Sequence, residues 1–238
     1  GETWFKLGDR DLAVHVERTR RLRSGESLSS ITSRLAGSLG IASRIVPMTD
    51  DRVRTQVFTA DGALDFQRYF VEAQCRPHVT GLAFAGAEEA QPNPEIVAAI
   101  KDQNLRAIVI CPSNPFISID PILALPGLRA ALAVSAAPVV AVSPIIGGKS
   151  VKGPTAKMMS GFGLAVDPRT VATHYKELID GFVVDTVDRD IASEIEVPTE
   201  VRRILMLDER DREGLARAVL GFADCLACPT QATLREQN

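Results

Sequence analysis

Apolar residues recur along this chain at two different periods, and the change of period divides it. Over residues 11–23, Leu12, Val16, Thr19 and Leu22 fall near one helical face, and Gly25 supplies a stop. Ser27 is placed to cap a second helix, on which Leu28, Ile31, Leu35 and Leu39 repeat before Gly40. Both stripes are expected to be core contacts. The next stretch alternates instead: 55–59 and 63–66 flank Asp61-Gly62, the pattern of a β-hairpin. From Val79 onward, apolar runs and helical stretches take turns. Strands are predicted at 81–85, 106–111, 138–142, 181–185 and 203–207. Asn93-Pro94 opens a helix through Ile100, and further helices are predicted at 155–162, 168–180 and 209–226.

This alternation predicts an α/β fold: a mainly parallel, Rossmann-like sheet covered by helices on both faces. The helix pair and hairpin near the start form a small accessory subdomain over 1–78. The parallel, nucleotide-binding part is expected over 79–227, with a disordered tail at 228–238.

Two loops carry the candidate chemistry. The run Pro138-Val139-Val140-Ala141-Val142 empties into Ser143-Pro144-Ile145-Ile146-Gly147-Gly148-Lys149-Ser150. Glycines let backbone N–H groups approach an anion and a lysine neutralises its charge, so this loop is suited to a phosphate. Lys152-Gly153-Pro154 repeats the chemistry. Ser143 stands where the first glycine of a Walker A loop belongs, which argues against a general P-loop phosphatase or kinase. The other loop, Pro112-Ser113-Asn114-Pro115 with Ser118, follows the strand at 106–111. In open parallel sheets, ligands sit beyond the carboxyl ends of the strands, where the topology reverses. The two loops therefore predict one crevice. Each charge-assisted hydrogen bond in it contributes about 1.5–3 kcal/mol, so a handful holds a nucleotide.

Composition narrows the partners. The chain has 238 residues, enough for a full core, and a formal charge of −3. That charge speaks against nucleic acid, which calls for a basic stripe. No apolar run approaches membrane-helix length and no signal peptide is present, so the expected compartment is the cytoplasm. Four scattered cysteines, Cys75, Cys111, Cys225 and Cys228, do not make a disulfide framework. The Cys225-x-x-Cys228 pair has no second pair and no histidine at ligand spacing, and reads as a helix-end feature. The runs 188–190 and 208–211 read as solvated charge.

Several segments together resemble one family. Trp4 to Ala13, reading WFKLGDRDLA and followed by His15, is similar to the opening of the 2-phospho-L-lactate transferases of coenzyme F420 biosynthesis. So are Leu35 to Ile41, Val46-Pro47-Met48-Thr49-Asp50-Asp51 with Val53-Arg54-Thr55, and Phe66-Gln67 with Tyr69-Phe70. Pro112-Ser113-Asn114-Pro115 with Ser118-Ile119, and Val140 to Gly148 with Gly153-Pro154, complete a resemblance that runs to about Ala227.

The resemblance implies an enzyme that moves a phospholactyl-type group from a GMP-activated donor to the terminal ribityl hydroxyl of the deazaflavin Fo. The group is phospholactate, phosphoenolpyruvate or phosphoglycerate; F420-0 or a relative forms and GMP leaves. It also implies magnesium and a homodimer. Lys6 matches the position that contacts the deazaflavin. Ser113, Asn114 and Ser118 are candidates for the nucleotide, and Gly147, Gly148 and Lys149 for the diphosphate. Asp9 and Asp11 either hold magnesium or complement the following helix, and Asp50-Asp51 poses the same choice. Arg54 pairs with a carboxylate or a phosphate. No residue is singled out as catalytic. The family's opening strand and glycine-rich turn have no counterpart ahead of Gly1, so a processed product or an excerpt of a longer chain is expected. The other reading left open is a non-catalytic nucleotide- or deazaflavin-binding remnant or partner subunit.

Overall fold

A computed structural model describes Trp4 and residues 6–228. The stretch expected as a tail lies, from 229 onward, outside the described residues. Contacts group the chain into two compact units, one within Gly1–Ala98 and Pro121–Leu128, the other within Ala99–Asp120 and Arg129–Asn238.

The first unit begins with α1 (Asp9–Arg23) and α2 (Leu28–Ser38). Ser27 caps α2, its hydroxyl accepting from the Ser30 N–H at 3.2 Å. Asp50 adds a second cap, its carboxylate accepting from the Ser29 N–H at 2.6 Å. The stripe on α1 departs from expectation. No residue of α1 is buried, and Leu12, Val16 and Leu22 are all substantially exposed, because among the described residues only α2 makes a sizeable packing contact with it. On α2, Ile31 is fully buried, whereas Leu39 lies exposed beyond the last turn.

The hairpin forms as its pattern predicts, from β1 (Arg54–Thr59) and β2 (Gly62–Asp65), with Thr59 opposite Gly62. β3 (Val79–Ala85) was expected to begin the parallel series. Instead it pairs antiparallel with β1, giving the order β2-β1-β3. Its five central residues alternate too weakly to announce which sheet they join; the pairing runs from Arg54 opposite Ala85 to Thr59 opposite Val79, with one bulge between Phe58 and Thr59. α3 (Pro94–Ile100) follows, capped by Asn93, whose side-chain oxygen accepts from the Glu95 N–H at 3.0 Å.

The second unit holds the parallel sheet. Along the chain come β4 (Ile108–Ile110), then α4 (Asp120–Leu123), which from Pro121 on belongs to the first unit, then α5 (Leu128–Ala133), β5 (Val139–Val142), β6 (Ile145–Ile146), β7 (Lys149–Ser150), α6 (Thr155–Gly161), α7 (Pro168–Tyr175), β8 (Gly181–Val184), β9 (Thr199–Val201) and α8 (Glu209–Ala227). Strands β4, β5, β8 and β9 pair in that order, all parallel. Every residue of β5 and of β8 is buried, as expected of strands covered on both faces. On one face Val140, Val142 and Val183 pack with Leu215, Val219 and Ala223 of α8. By the two-residue period, Val139, Ala141, Phe182 and Val184 face the other side.

Three expectations need correction. The order of the four strands follows the chain without a reversal, so the described sheet has no switch point of its own. The helix predicted at 168–180 stops at Tyr175. The strand predicted at 203–207 is replaced by the shorter β9. After Arg202 N–H bonds to Val184 O, the donors of Ile204 and Leu207 go to the carboxylates of Asp185 and Asp211, so neither is available to a ladder.

Candidate functional site

Beyond the carboxyl ends of β4 and β5 lies a cavity of about 210 Å³. Pro112, Ser113 and Asn114 line it from the first loop, and Ser143, Pro144, Ile146, Val151, Lys152 and Thr155 from the second. Ile204, Leu205 and Met206 supply an apolar wall. The crevice predicted from the two loops is therefore present within the second unit.

Its members play different parts. Asn114 is buried and spends its side chain on the local turn. Its oxygen accepts from the Phe116 and Ile117 N–H groups at 2.9 and 3.4 Å, while its amide nitrogen reaches Met158 Sδ at 3.4 Å. The Phe116 ring then stands edge-on to Phe162 and His174, with centroids 5.1 and 5.3 Å away, which fixes the loop from behind. Ser143 is likewise committed, its hydroxyl donating to Ile145 O at 2.8 Å and accepting from Ile145 N–H at 3.1 Å. These residues shape the cavity. Ser113, Lys152 and Thr155 are the lining residues whose polar side chains make no hydrogen bond or ion pair among the described residues.

The paired glycines are the tip of a two-residue hairpin. Gly147 and Gly148 have φ of 54° and 72°, and Ile146 pairs with Lys149 across them. Both central residues at positive φ make the turn whose twist suits a hairpin, and glycine adopts it without penalty. The Gly147 N–H, expected to face an anion, donates to both carboxylate oxygens of Asp188 at 3.0 and 3.1 Å. Gly147, Gly148 and Lys149 do not line the cavity, and neither does the exposed Ser118.

Lys6, Asp9 and Asp11 are exposed in the first unit. Gly8 is the N-cap of α1 and no side chain bonds there; Asp9 and Asp11 lie in its first turn, favourable to the helix dipole. Standing two positions apart, they point to different sides of the helix. Among the described residues no three His, Cys, Asp or Glu side chains gather to hold a metal. Asp51 accepts from the Gln91 N–H at 2.7 Å, so the Asp50-Asp51 pair serves backbone donors.

Sequence reasoning passed over the wall at 204–206, which carries no motif, and two carboxylates. Asp185 ends an unbroken apolar strand and is buried, a position that signals a committed partner. Asp188, expected as solvated charge, is half-buried and bonded to Gly147.

No helix among the described residues is long and apolar enough to cross a membrane. The family described as "2-phospho-L-lactate transferase CofD" matches residues 2–220. A phosphoenolpyruvate transferase of Streptomyces griseus subsp. griseus is 38% identical over 232 residues, covering 94% of this chain and 72% of that protein. A 2-phospho-L-lactate transferase of Methanosarcina acetivorans is 40% identical over 230 residues, with the same 94% and 72%. The Methanosarcina mazei 2-phospho-L-lactate transferase is 42% identical over 189 residues, covering 79% of this chain and 61% of its own length. In architecture the chain is similar to a upf0052 family member from Bacillus halodurans, at a TM-score of 0.59 and 14% identity over 86% of this chain and 71% of that one.

Proposed function

This chain belongs to the 2-phospho-L-lactate transferase CofD family and is a transferase, and we propose that it moves a phospholactyl-type group from a GMP-activated donor to the deazaflavin Fo. The observation that carries this reading is the shared cavity between the loops after β4 and β5, which faces Ser113, Lys152 and Thr155 toward an apolar wall. Hydroxyls and an ammonium suit a diphosphate, and the wall suits a base or a sugar edge. At about 210 Å³ the cavity is smaller than the ~300–1,000 Å³ usual for a whole ligand. It holds part of the donor. Lys152, which lines it, takes the cationic role in this reading rather than Lys149.

In the proposed reaction the terminal ribityl oxygen of Fo attacks the phosphorus that bears the carboxylate unit. A new P–O bond forms, the bond to the bridging oxygen breaks, and GMP leaves with that oxygen and its electron pair. The hydroxyl proton passes to solvent. The chain's part is to orient the donor and stabilise charge on the phosphates. Lys6 is assigned to the deazaflavin. Magnesium enters this reading on the donor's own phosphate oxygens, as such ions commonly do, and no step is routed through Asp9 or Asp11. A cytoplasmic homodimer completes the proposal.

The test offers Fo with the activated phospholactate, phosphoenolpyruvate and phosphoglycerate donors in turn, and follows GMP release together with the new deazaflavin product. Expected are GMP and product in equal amounts, loss of both on chelation with EDTA, and recovery on adding magnesium. Lys6→Ala is expected to raise KM for Fo and leave that of the donor unchanged. Absence of turnover with all three donors refutes the transferase assignment of substrates.

A further inference from the structure

We propose that Asp185 and Asp188 are positioning residues for the donor, one turn of chain holding two walls of the cavity through two carboxylates. This rests on the reading of that cavity as the donor site. Asp185 follows β8 directly and is only 4% exposed. Its Oδ2 accepts from the Ile204 N–H at 2.9 Å, while Oδ1 accepts from the Val187 N–H at 3.1 Å and the Thr186 hydroxyl at 3.2 Å. The wall at 204–206 has neither helix nor strand to fix it. Asp185 therefore supplies the anchor that regular structure does not.

Three residues on, Asp188 receives the Gly147 N–H on both of its oxygens, at 3.0 and 3.1 Å. Gly147 is the tip of the hairpin whose Ile146 lines the cavity. The contact is close: a Cβ on Gly147 would stand 3.3 Å from Val187 Cγ1. Both carboxylates belong to one turn, closed by the Asp188 N–H donating to Asp185 O at 3.0 Å. A shift at either end of this turn moves a wall. Neither carboxylate lines the cavity, so both act through the backbone they hold and should affect donor binding without altering the chemical step.

Asp188→Ala, Asp188→Asn and Asp185→Asn are compared with the unaltered chain in three measurements. Amide hydrogen exchange without ligand reads the Gly147 and Ile204 N–H groups. Calorimetric titration with GDP reads the donor site, and turnover separates KM from kcat. In Asp188→Ala, exchange at Gly147 is expected to rise at least tenfold while Val140 to Val142 stay protected, and the GDP Kd and donor KM to rise about tenfold with kcat held. Asp188→Asn keeps an acceptor oxygen and should recover to within about threefold. Asp185→Asn should speed exchange at Ile204 and raise the Kd similarly. If the unaltered chain binds GDP and the variants bind it equally well, the positioning role is wrong while the donor site stands. A fall in kcat at constant KM also overturns it. If the unaltered chain fails to bind GDP, the donor reading goes, and this role with it.

Discussion

Lys149 and Lys152 look equivalent in the sequence, each beside a glycine in the same loop, yet only one reaches the cavity. Lys149 begins β7 and sits across the hairpin from Ile146, whereas Lys152 lies past that strand, where the chain turns toward α6. One hydrogen bond to a charged phosphate contributes about 1.5–3 kcal/mol, or roughly a tenfold change in affinity or more. Lys152→Ala is accordingly expected to weaken GDP binding about tenfold, and Lys149→Ala by less than twofold. The same titration run with both variants checks this; equal losses would mean that the hairpin lysine reaches the phosphates after all.

Several helices in this chain, α2, α7 and α8 among them, are closed at the first turn by a side-chain cap. Asp167 caps α7, its carboxylate accepting from the Arg169 N–H at 2.7 Å and pairing with the Arg169 guanidinium at 2.6 Å. The side-chain hydrogen bond from Arg169 holds the Asp167 carboxyl below the usual carboxylate range. A folded-state value below the unfolded one means the contribution is complete above about pH 4 and is lost as pH falls through the depressed value. Asp167→Ala should therefore cost about 1 kcal/mol at neutral pH, with the gap to the unaltered chain closing on acidification below about pH 4. Urea unfolding across pH measures it, and a gap independent of pH would remove the carboxylate from the account. By contrast α1, with its apolar stripe exposed, shows that periodicity identifies a helix without identifying what covers it.

For the molecule's larger unit, the join between sheet and α8 is the critical packing contact. At Gly181, the first residue of β8, an added Cβ would stand 2.6 Å from Phe222 Cε1 and 2.7 Å from Leu226 Cδ1. Gly181→Val must displace the Phe222 ring and the Leu226 side chain, which pack against the Val183, Val219 and Ala223 core, at an expected cost of about 1–3 kcal/mol. Thermal or urea unfolding reads that loss; unchanged stability would show that these two side chains turn aside without cost. Because β8 ends in the turn that carries Asp185 and Asp188, the same variant should loosen the donor cavity as well.

The periodic segments were legible from the residues themselves. The helix pair, the hairpin about Asp61-Gly62, the parallel strands β4, β5 and β8 and the helix α8 follow from local period, capping and turn chemistry, and those rules act over a few residues. So did the meeting of the loops after β4 and β5, since parallel strands bring their carboxyl ends to one edge. The partner of β3, the placing of the last strand at 199–201 instead of 203–207, the burial of Asp185 and the capture of the Gly147 N–H by Asp188 depend on contacts between residues far apart in the chain. A backbone N–H donates to whichever acceptor the fold brings to it. That competition is settled only in three dimensions, and it decided which residues line the cavity and which merely hold it open.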